Sequence, residues 1–221
     1  MTKGNNLIIV VAGVKGDGKT TLGFFYMERL DKPSIIIDVT EQFQANRKYS
    51  KIIKGVQALK YELLNPINFK LFIKGKLQLI FRPISNDIKS EIEEVIQMVL
   101  HNNIQNICIF FDELEVYANN RLNEKSSIFR LFYMSRNRKI DIIAVAKIFG
   151  LLSPLIKSQT DYFALSQVDD INSKKYLDLR SFNKFSLKIE DIQKHQFLVT
   201  DLKGYWEKIK LDKKIIRIIE K

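Results

Sequence analysis

Cysteine and histidine are scarce in this chain, and their scarcity excludes several kinds of site. The single cysteine, Cys108, rules out a disulfide within the chain, and with only two histidines we expect no structural zinc site. No run of about 18 apolar residues occurs, so no membrane-spanning helix is predicted. Residues 1–6 are polar and lead into an apolar run, unlike a signal peptide. We therefore expect an intracellular, cytoplasmic location.

Acidic residues are also few relative to basic ones. The chain has 25 Asp and Glu residues against 36 Lys and Arg residues, a formal net charge of +11. A surplus of this size favours an anionic partner, because a polyanion releases counterions when cations neutralise its phosphates. Nucleic acid is the first candidate and an anionic membrane surface the second. Lysines scattered over a solvated surface are the remaining alternative.

Short apolar runs rich in β-branched residues are abundant. They lie at 7–12, 34–39, 78–81, 106–111, 140–146 and 162–165. Runs without polar alternation predict strands that are buried on both faces of a parallel sheet. Segments with helical spacing lie at 20–30, 87–100 and 126–136. This alternation predicts an α/β fold in which helices flank a doubly wound, mostly parallel sheet.

The C-terminal part has a different pattern. Residues 195–201 and 205–211 flank a short segment that ends in Gly204, which predicts a β-hairpin adding antiparallel strands at a sheet edge. Residues 41–76 lack a clean period, and we expect helices with a mobile loop there. A length of 221 residues fits a single domain, 1–221, with a core at about 7–167 and an extension at about 168–221.

One segment carries a phosphate-binding pattern in the context that its chemistry needs, after an apolar strand and before a helix. Eight consecutive residues match G-x-x-x-x-G-K-[ST]: Gly13, Val14, Lys15, Gly16, Asp17, Gly18, Lys19 and Thr20. The glycines free the backbone to wrap phosphate oxygens, and the helix start adds its positive end. We expect Lys19 to reach the β- and γ-phosphates of ATP, Thr20 to bind Mg²⁺ and Thr21 to contact the α-phosphate. The alternative is a glycine-rich turn between strand and helix.

A second segment completes the predicted site. The apolar run 106–111 ends in Asp112 and Glu113, as a Walker B element does. Asp112 would hold Mg²⁺ through its water shell, and Glu113 would orient and deprotonate the attacking water. The alternative is an acidic pair that caps a helix N-terminus. Glu115 is interpreted as a surface charge. Together the two segments predict an enzyme that hydrolyses Mg-ATP.

Three further segments make the sequence resemble the FtsK–HerA superfamily of DNA-pumping P-loop ATPases. Asp38 follows the apolar run 34–37, a basic segment at 135–139 precedes the run 140–146, and a Ser-Pro-Leu-Ile segment precedes a strand within 153–163. Within this superfamily the sequence is similar to viral genome-packaging ATPases, with the Zot-type assembly ATPases of filamentous phages next. The resemblance covers residues 7–167, and its specific parts are the two nucleotide motifs.

The resemblance implies a RecA/FtsK-like P-loop NTPase fold, ATP and Mg²⁺ as cofactors, and a homo-oligomeric ring that moves DNA. Capsid or membrane-vertex proteins are further implied partners. It also implies that Arg136 or Arg138 serves a neighbouring subunit as an arginine finger, whereas the alternative is an exposed basic helix end. One departure stands out, because the superfamily's γ-phosphate-sensing Gln is replaced by Lys147.

The function implied by the resemblance is an ATP-driven translocase of double-stranded DNA, as in viral genome packaging, at a packaging vertex or in a host cytoplasm. The membrane-spanning helix usual in Zot-type proteins is absent, which favours the packaging branch. A Zot-like ATPase that extrudes single-stranded DNA and a nucleotide-dependent switch or adaptor stay open as alternatives. Candidate DNA contacts, which equally fit a solvated face, are Lys48, Lys51, Lys54, Lys70, Lys74 and Lys76.

Overall fold

The apolar runs of the sequence form the strands of one sheet. The computed structural model describes residues 6–45, 50–75, 77–119, 122–167, 173–177, 191–201, 203–212 and 215–220. Within these ranges the strands are β1 (Ile8–Ala12), β2 (Ser34–Ile37), β3 (Ser50–Lys54), β4 (Gln78–Arg82), β5 (Cys108–Phe111), β6 (Asp141–Ala146), β7 (Tyr162–Leu165), β8 (Gln196–Thr200), β9 (Trp206–Asp212) and β10 (Ile215–Glu220).

The sheet has a parallel part and an antiparallel part. Its order is β10-β9-β8-β7-β1-β6-β5-β2-β4-β3. All pairs from β3 to β7 are parallel, whereas β7–β8, β8–β9 and β9–β10 are antiparallel. The predicted mostly parallel sheet and C-terminal hairpin are thus confirmed. The described strands of the C-terminal extension continue the sheet of the core, and the division into a single domain stays a prediction.

Helices cover the two faces of the sheet unequally. The helices are α1 (Lys19–Leu30), α2 (Val56–Leu64), α3 (Pro66–Gly75), α4 (Ile88–His101), α5 (Ser127–Met134) and α6 (Pro154–Gln159). On one face α1 packs Leu22 and Met27 into an apolar cluster, whereas α2 to α6 contribute to the larger cluster on the other face. None of the described helices has the length and apolarity needed to cross a bilayer.

The segment 41–76 holds the predicted helices, but also a strand that the sequence analysis missed. Strand β3 has the sequence SKIIK, and only Ile53 among its residues is buried. It pairs with β4 alone, at the edge of the sheet. An edge strand has one neighbour and buries little, so its sequence carries no continuous apolar run.

Buried aspartates connect the amino-terminal ends of the central strands. Asp141 accepts a hydrogen bond from the main-chain N–H of Leu7 at 2.8 Å and forms an ion pair with Lys32 at 2.5 Å. Asp161 accepts from the N–H of Ile8 at 2.9 Å. These bonds fix the start of β1 between β6 and β7, and therefore fix where β1 ends.

Candidate nucleotide site

The order of the strands brings four loops together at the carboxyl-terminal edge of the sheet. Strand β6 lies between β1 and β5, and β2 lies on the other side of β5. The carboxyl ends of neighbouring parallel strands meet at one edge, where ligands of such sheets bind. The loop after β1 is the segment with the predicted phosphate-binding pattern, and the segments after β5, β6 and β2 contribute Asp112, Lys147 and Thr40.

The loop after β1 turns on glycines whose backbone conformation no other residue adopts without strain. Gly16 and Gly18 have φ of 91° and 85°, in the left-handed region. At Gly13 a Cβ would lie 1.8 Å from Oγ of Ser166, so a side chain has no room. The N–H of Leu22 donates to the carbonyl of Gly18 at 2.8 Å, so α1 begins directly at the loop. Loop and helix start have the backbone geometry that suits a phosphate cradle, and phosphate binding by residues 13–20 stays a prediction.

Lys19 is held inside this loop. Its Nζ donates a hydrogen bond to the carbonyl of Val14 at 2.6 Å, and the residue is buried. Burial lowers the pKa of the Lys19 ammonium, while the nearby Asp17 opposes that shift. A buried cation that donates to a main-chain carbonyl is poised to exchange this acceptor for an anion.

Asp112 is buried at the end of β5 and is oriented by a threonine from the neighbouring strand's loop. The hydroxyl of Thr40 donates to Oδ2 of Asp112 at 2.6 Å. Below it, the hydroxyl of Tyr117 donates to the main-chain carbonyl of Asp112 at 2.9 Å. Burial raises the pKa of the Asp112 carboxyl, and the hydrogen bond from Thr40 partly offsets that rise. Sequence reasoning did not identify Thr40, because only the strand order places it beside Asp112.

The donors present fit a magnesium ion that is shared with phosphates. Asp112 and the hydroxyl-bearing Thr20 and Thr40 line one cavity. Among the described residues no group of three or more acidic, histidine or cysteine side chains forms a metal cage. Mg²⁺ in phosphate sites takes one or two carboxylates, with phosphate oxygens and water as its other ligands. The set is therefore suitable for that ion as a companion of a nucleotide.

Glu113 forms an ion pair with Lys147, the residue that follows β6. Glu113 has φ of 51°, a left-handed conformation in which its side chain turns toward β6. The Lys147 side chain is 51% exposed, so its outer part can turn in the solvent. The hydrogen bond to Glu113 raises the pKa of the Lys147 ammonium. Both residues of the pair line the cavity described below.

Glu115 is not the surface charge that the sequence analysis expected. Its Oε1 accepts a hydrogen bond from the main-chain N–H of Lys147 at 2.7 Å, and its Oε2 is buried with no hydrogen-bond partner among the described residues. Burial raises the pKa of this carboxyl. The N–H of Lys147 draws Glu115 inward, and this bond anchors the backbone of Lys147 while its side chain stays exposed.

Asp38 supports the loop that carries Thr40. It is fully buried and accepts hydrogen bonds from the N–H groups of Gln42 at 3.0 Å and Phe43 at 3.3 Å. Nε of Arg82 donates to the same carboxylate at 3.0 Å. Asp38 entered the sequence analysis only as a mark of resemblance. Its observed role is to shape this loop, and an aspartate directly after an apolar run is the sequence signal for such a turn.

These parts enclose a cavity of about 520 Å³. Its lining combines cations on the loop side with carboxylates on the β5 side, as a magnesium-bound polyphosphate requires. The lining residues are Lys15, Gly16, Gly18, Lys19, Thr20, Thr21, Thr40, Gln42, Asp112, Glu113, Val145 and Lys147. Of the other predicted residues, Gly13, Val14 and Asp17 form the body of the loop and do not line the cavity.

Residues at the C-terminal strands β8 and β9 contact the loop that follows β1. Nδ1 of His195 lies 3.2 Å from the main-chain carbonyl oxygen of Asp17. A Cβ on Gly18 would lie 2.9 Å from Cδ2 of Leu211. The sequence analysis missed these contacts, because they join residues that are far apart in the chain.

The two arginine-finger candidates lie away from this cavity within the chain. Arg136 forms an ion pair with Asp161 and is 62% exposed. Arg138 donates to the carbonyl of Leu100 at 2.6 Å, at the end of α4. Both are at the amino-terminal edge of the sheet, opposite the phosphate-binding loop. A role in a neighbouring subunit's site stays a prediction, and the contact of Arg138 also fits the alternative of a basic helix end.

The candidate DNA-contacting lysines have different surroundings. Lys51 forms an ion pair with Glu62. Lys54, Lys70 and Lys74 are exposed. Lys48 and Lys76 lie outside the described residues.

Comparisons with known proteins support the fold at low sequence identity. No protein-family model matches the chain, and no curated protein matches it in sequence. The genome packaging NTPase B204 from Sulfolobus turreted icosahedral virus 2, in complex with sulfate, matches with a TM-score of 0.70 and 14% identity over 97% of this chain and 96% of that chain. The N-terminal domain of zonular occludens toxin from Neisseria meningitidis matches with a TM-score of 0.53 and 11% identity over 96% of this chain and 97% of that chain.

VirB4 of Thermoanaerobacter pseudethanolicus matches with a TM-score of 0.61 and 10% identity over 96% of this chain and 91% of that chain. At such identities a structural likeness establishes the fold. The predicted P-loop NTPase fold is thereby confirmed, and the chain is similar in structure to viral packaging and Zot proteins, as the sequence resemblance implied.

Proposed function

We propose that this chain hydrolyses Mg-ATP and uses the energy to move double-stranded DNA, as viral genome-packaging motors do. The observation that carries the proposal is the single cavity in which Lys19 and Thr20 face Asp112 and Glu113. The similar B204 protein was solved in complex with ATP-γS and is described as a genome packaging NTPase, which supports both the nucleotide and the process.

Binding follows from the loop and from Lys19. The N–H groups of the loop and the start of α1 attract phosphate oxygens. Lys19 exchanges the carbonyl of Val14 for the β- and γ-phosphates, so one hydrogen bond is replaced by stronger charge-assisted bonds. Thr20 and Asp112 would hold Mg²⁺, which neutralises charge on the phosphates when it is bound.

Hydrolysis requires Glu113 to be released from its ion pair. As a base, Glu113 must accept a proton from the attacking water, so its carboxylate has to face that water instead of Lys147. Lys147 is half exposed, and its backbone is anchored by Glu115, so the side chain can turn toward a γ-phosphate in the same cavity. In this proposal Lys147 replaces the sensing Gln of the superfamily by contacting phosphate.

DNA movement is supported by charge and by the likeness to B204. A net charge of +11 suits a polyanion held without base reading. We further propose a homo-oligomeric ring in which Arg136 or Arg138 reaches the nucleotide of the next subunit, with capsid or membrane-vertex proteins as partners. Arg136 is the better placed of the two, since its side chain is 62% exposed.

The test is the rate of ATP hydrolysis with and without DNA. Double-stranded DNA is expected to stimulate turnover by the assembled protein. Stimulation by single-stranded DNA alone would favour the Zot-like alternative, which the structural match to zonular occludens toxin keeps in view. A monomer that binds nucleotide and ignores both kinds of DNA would be a switch or adaptor instead.

The arginine-finger assignment has its own test. Substituting the true finger by alanine is expected to lower turnover about 10³-fold or more in the ring, as loss of such a finger does in other P-loop NTPases. Arg130→Ala, an exposed arginine on α5, serves as the matched control. If Arg136→Ala and Arg138→Ala both keep full turnover in the assembled ring, neither residue is the finger.

A further inference from the structure

Helices α2 and α3 form a hairpin with a fixed corner at Asn65. The N–H of Asn65 donates to the carbonyl of Tyr61 at 3.1 Å and closes α2. The side-chain Oδ1 of Asn65 accepts from the N–H groups of Ile67 at 3.0 Å and Asn68 at 3.2 Å, which caps the start of α3. The two helices are thus held at one angle, and side chains on their outer faces keep fixed relative positions.

The inner face of this hairpin already anchors it to the sheet. Val56, Leu59 and Leu63 recur at helical spacing on α2 and are buried, and Phe72 is buried on α3. These residues belong to the large apolar cluster on the face of the sheet opposite α1. Apolar residues on the outer face of the hairpin are therefore not needed for the core.

That outer face is nevertheless apolar. Tyr61, Leu64, Ile67 and Leu71, here named the hairpin patch, are 63%, 38%, 71% and 59% exposed. These four are among the ten exposed large apolar side chains in the described part of the chain. Tyr61 and Leu64 are three apart on α2, and Ile67 and Leu71 are four apart on α3, so each pair shares a helix face. Clustered exposure of this kind marks an interaction surface.

The unpaired charges of the hairpin and of the strand before it are cationic. Residues 51–74 contain five lysines and one acidic residue, Glu62, whose carboxylate is engaged by Lys51. The other four lysines are exposed and form no ion pair among the described residues: Lys54, Lys60, Lys70 and Lys74. The hairpin itself thus combines exposed apolar side chains with unpaired cations, while Glu91 of α4 lies near its beginning at Gly55. This combination is complementary to a surface that is anionic above and apolar below.

We propose that the hairpin patch is a docking surface for an anionic lipid bilayer, on which the chain lies without spanning it. The aliphatic side chains enter the boundary between headgroups and acyl chains, Tyr61 lies at that boundary, and the four lysines contact lipid phosphates. A DNA backbone would match the lysines but leave the four apolar side chains exposed. Two copies of the patch would place both sets of lysines face to face.

The first experiment is flotation of the full chain with vesicles. The chain floats with vesicles made of equal parts of phosphatidylcholine and phosphatidylserine and does not float with phosphatidylcholine alone. Added salt weakens the association, because it screens the lysines. The doubly substituted Ile67→Glu, Leu71→Glu variant loses it. Tyr133→Glu, a matched control at a side chain that is 66% exposed on α5, keeps it.

The lysines are tested separately from the apolar residues. Each lysine near an anionic bilayer contributes about fivefold to binding, so Lys70→Gln and Lys74→Gln each weaken vesicle binding by about that factor. The same substitutions at Lys89 and Lys125, which are exposed on other parts of the chain, have no such effect. Circular dichroism verifies that every variant is folded.

A second measurement places the patch in the lipid directly. The fluorophore NBD is attached to the Ile67→Cys variant, and its emission maximum is expected to move to shorter wavelength when anionic vesicles are added. The emission of NBD attached to the Tyr133→Cys variant is expected to stay unchanged. The single native cysteine, Cys108, is buried and stays unlabelled. The proposal is overturned if the native chain fails to float with anionic vesicles. It is also overturned if the folded glutamate variant floats as the native chain does and the emission of the label at residue 67 does not change. It is equally overturned if the patch variants alter self-association or DNA binding while vesicle binding is unchanged.

Because the hairpin lies on the face of the sheet opposite α1, the patch variants are expected to leave nucleotide binding unaltered. Failure of the membrane proposal is thus distinguishable from failure of the proposed ATPase function.

Discussion

The two edges of the parallel sheet use the same kinds of side chain in opposite ways. At the amino-terminal edge Asp141 and Asp161 each accept from the first N–H groups around β1 and also pair with a cation, Lys32 or Arg136. At the carboxyl-terminal edge Glu113 pairs with Lys147, and Lys19 is held by a carbonyl of its own loop.

The ion pairs at the amino-terminal edge are part of the fold, whereas the ion pair at the carboxyl-terminal edge is one that a ligand can exchange. A carboxylate that accepts from a strand N–H is part of the sheet, and losing it leaves a main-chain donor unsatisfied. The Glu113–Lys147 pair joins two side chains that line the cavity, and an incoming polyanion can replace the Glu113 carboxylate as the partner of Lys147. Nearby, Asp17 and Glu115 each keep a buried carboxylate oxygen without a hydrogen-bond partner in the described part of the chain. At the amino edge the buried Oδ2 of Asp141 also lacks a hydrogen-bond partner among the described residues, but Lys32 balances its charge at 2.5 Å. In this sense of paired charge the amino edge is complete and the carboxyl edge is incomplete.

The largest expected effect tests the incomplete edge. Glu113→Gln keeps the shape of the side chain but removes the base, so turnover is expected to fall about 10²–10⁴-fold. Nucleotide affinity is expected to stay the same or rise, because Lys147 is freed for phosphate. ADP release in single-turnover experiments measures the rate, with Glu124→Gln on an exposed loop as control. Unchanged turnover in the Gln variant would remove Glu113 from the mechanism.

The second prediction tests the complete edge. Asp141→Ala leaves the N–H of Leu7 and the ammonium of Lys32 without their partner, so the free energy of unfolding is expected to fall by about 2–3 kcal/mol. Urea denaturation followed by circular dichroism measures it. At temperatures where the variant is folded, its nucleotide affinity should equal that of the native chain. A variant of native stability with weakened nucleotide binding would reverse the assignment of the two edges.

The smallest effect concerns pH. The hydroxyl of Thr40 lowers the pKa of Asp112, which burial raises, and Asp112 must be ionised to hold Mg²⁺. Thr40→Val removes the donor and so raises that pKa further. The loss of Mg-nucleotide binding on acidification should therefore begin at a higher pH than in the native chain.

The pH dependence is measured as Mg-nucleotide affinity in a pH series. Thr40→Ser, which keeps the hydroxyl, is the matched variant and should follow the native curve. Superimposable curves for the Val and native chains, or a shift of the Val curve to lower pH, would show that Thr40 does not stabilise the ionised carboxylate.

Much of the fold was predictable because buried parallel strands carry continuous apolar runs. The run at Tyr162–Leu165 coincides with β7, and the other central strands differ from prediction by one or two residues at an end. The edge strands β3 and β10 were missed. SKIIK places lysines at an exposed edge, where burial no longer selects an apolar pattern.

The site was predictable where its chemistry is local in sequence. Residues 13–20 carry the loop in one segment, and Asp112 and Glu113 directly follow their strand. The inward placement of Thr40 and Glu115 was not predictable, because it depends on the order β1-β6-β5-β2. Lys147 entered the sequence analysis only through the resemblance, and its ion pair with Glu113 was not predicted. The inward turn of Glu115 depends on a main-chain N–H that belongs to another strand.

The central claim is that the carboxyl-terminal edge binds a magnesium-bound nucleoside triphosphate through Lys19. Isothermal titration calorimetry of the folded chain with Mg-ATP-γS, beside Lys19→Ala, tests it most directly. The account predicts saturable binding at one site per chain and its loss in the variant, whose circular dichroism is unchanged. Absence of binding to the native chain, or equal affinity in Lys19→Ala, would contradict it.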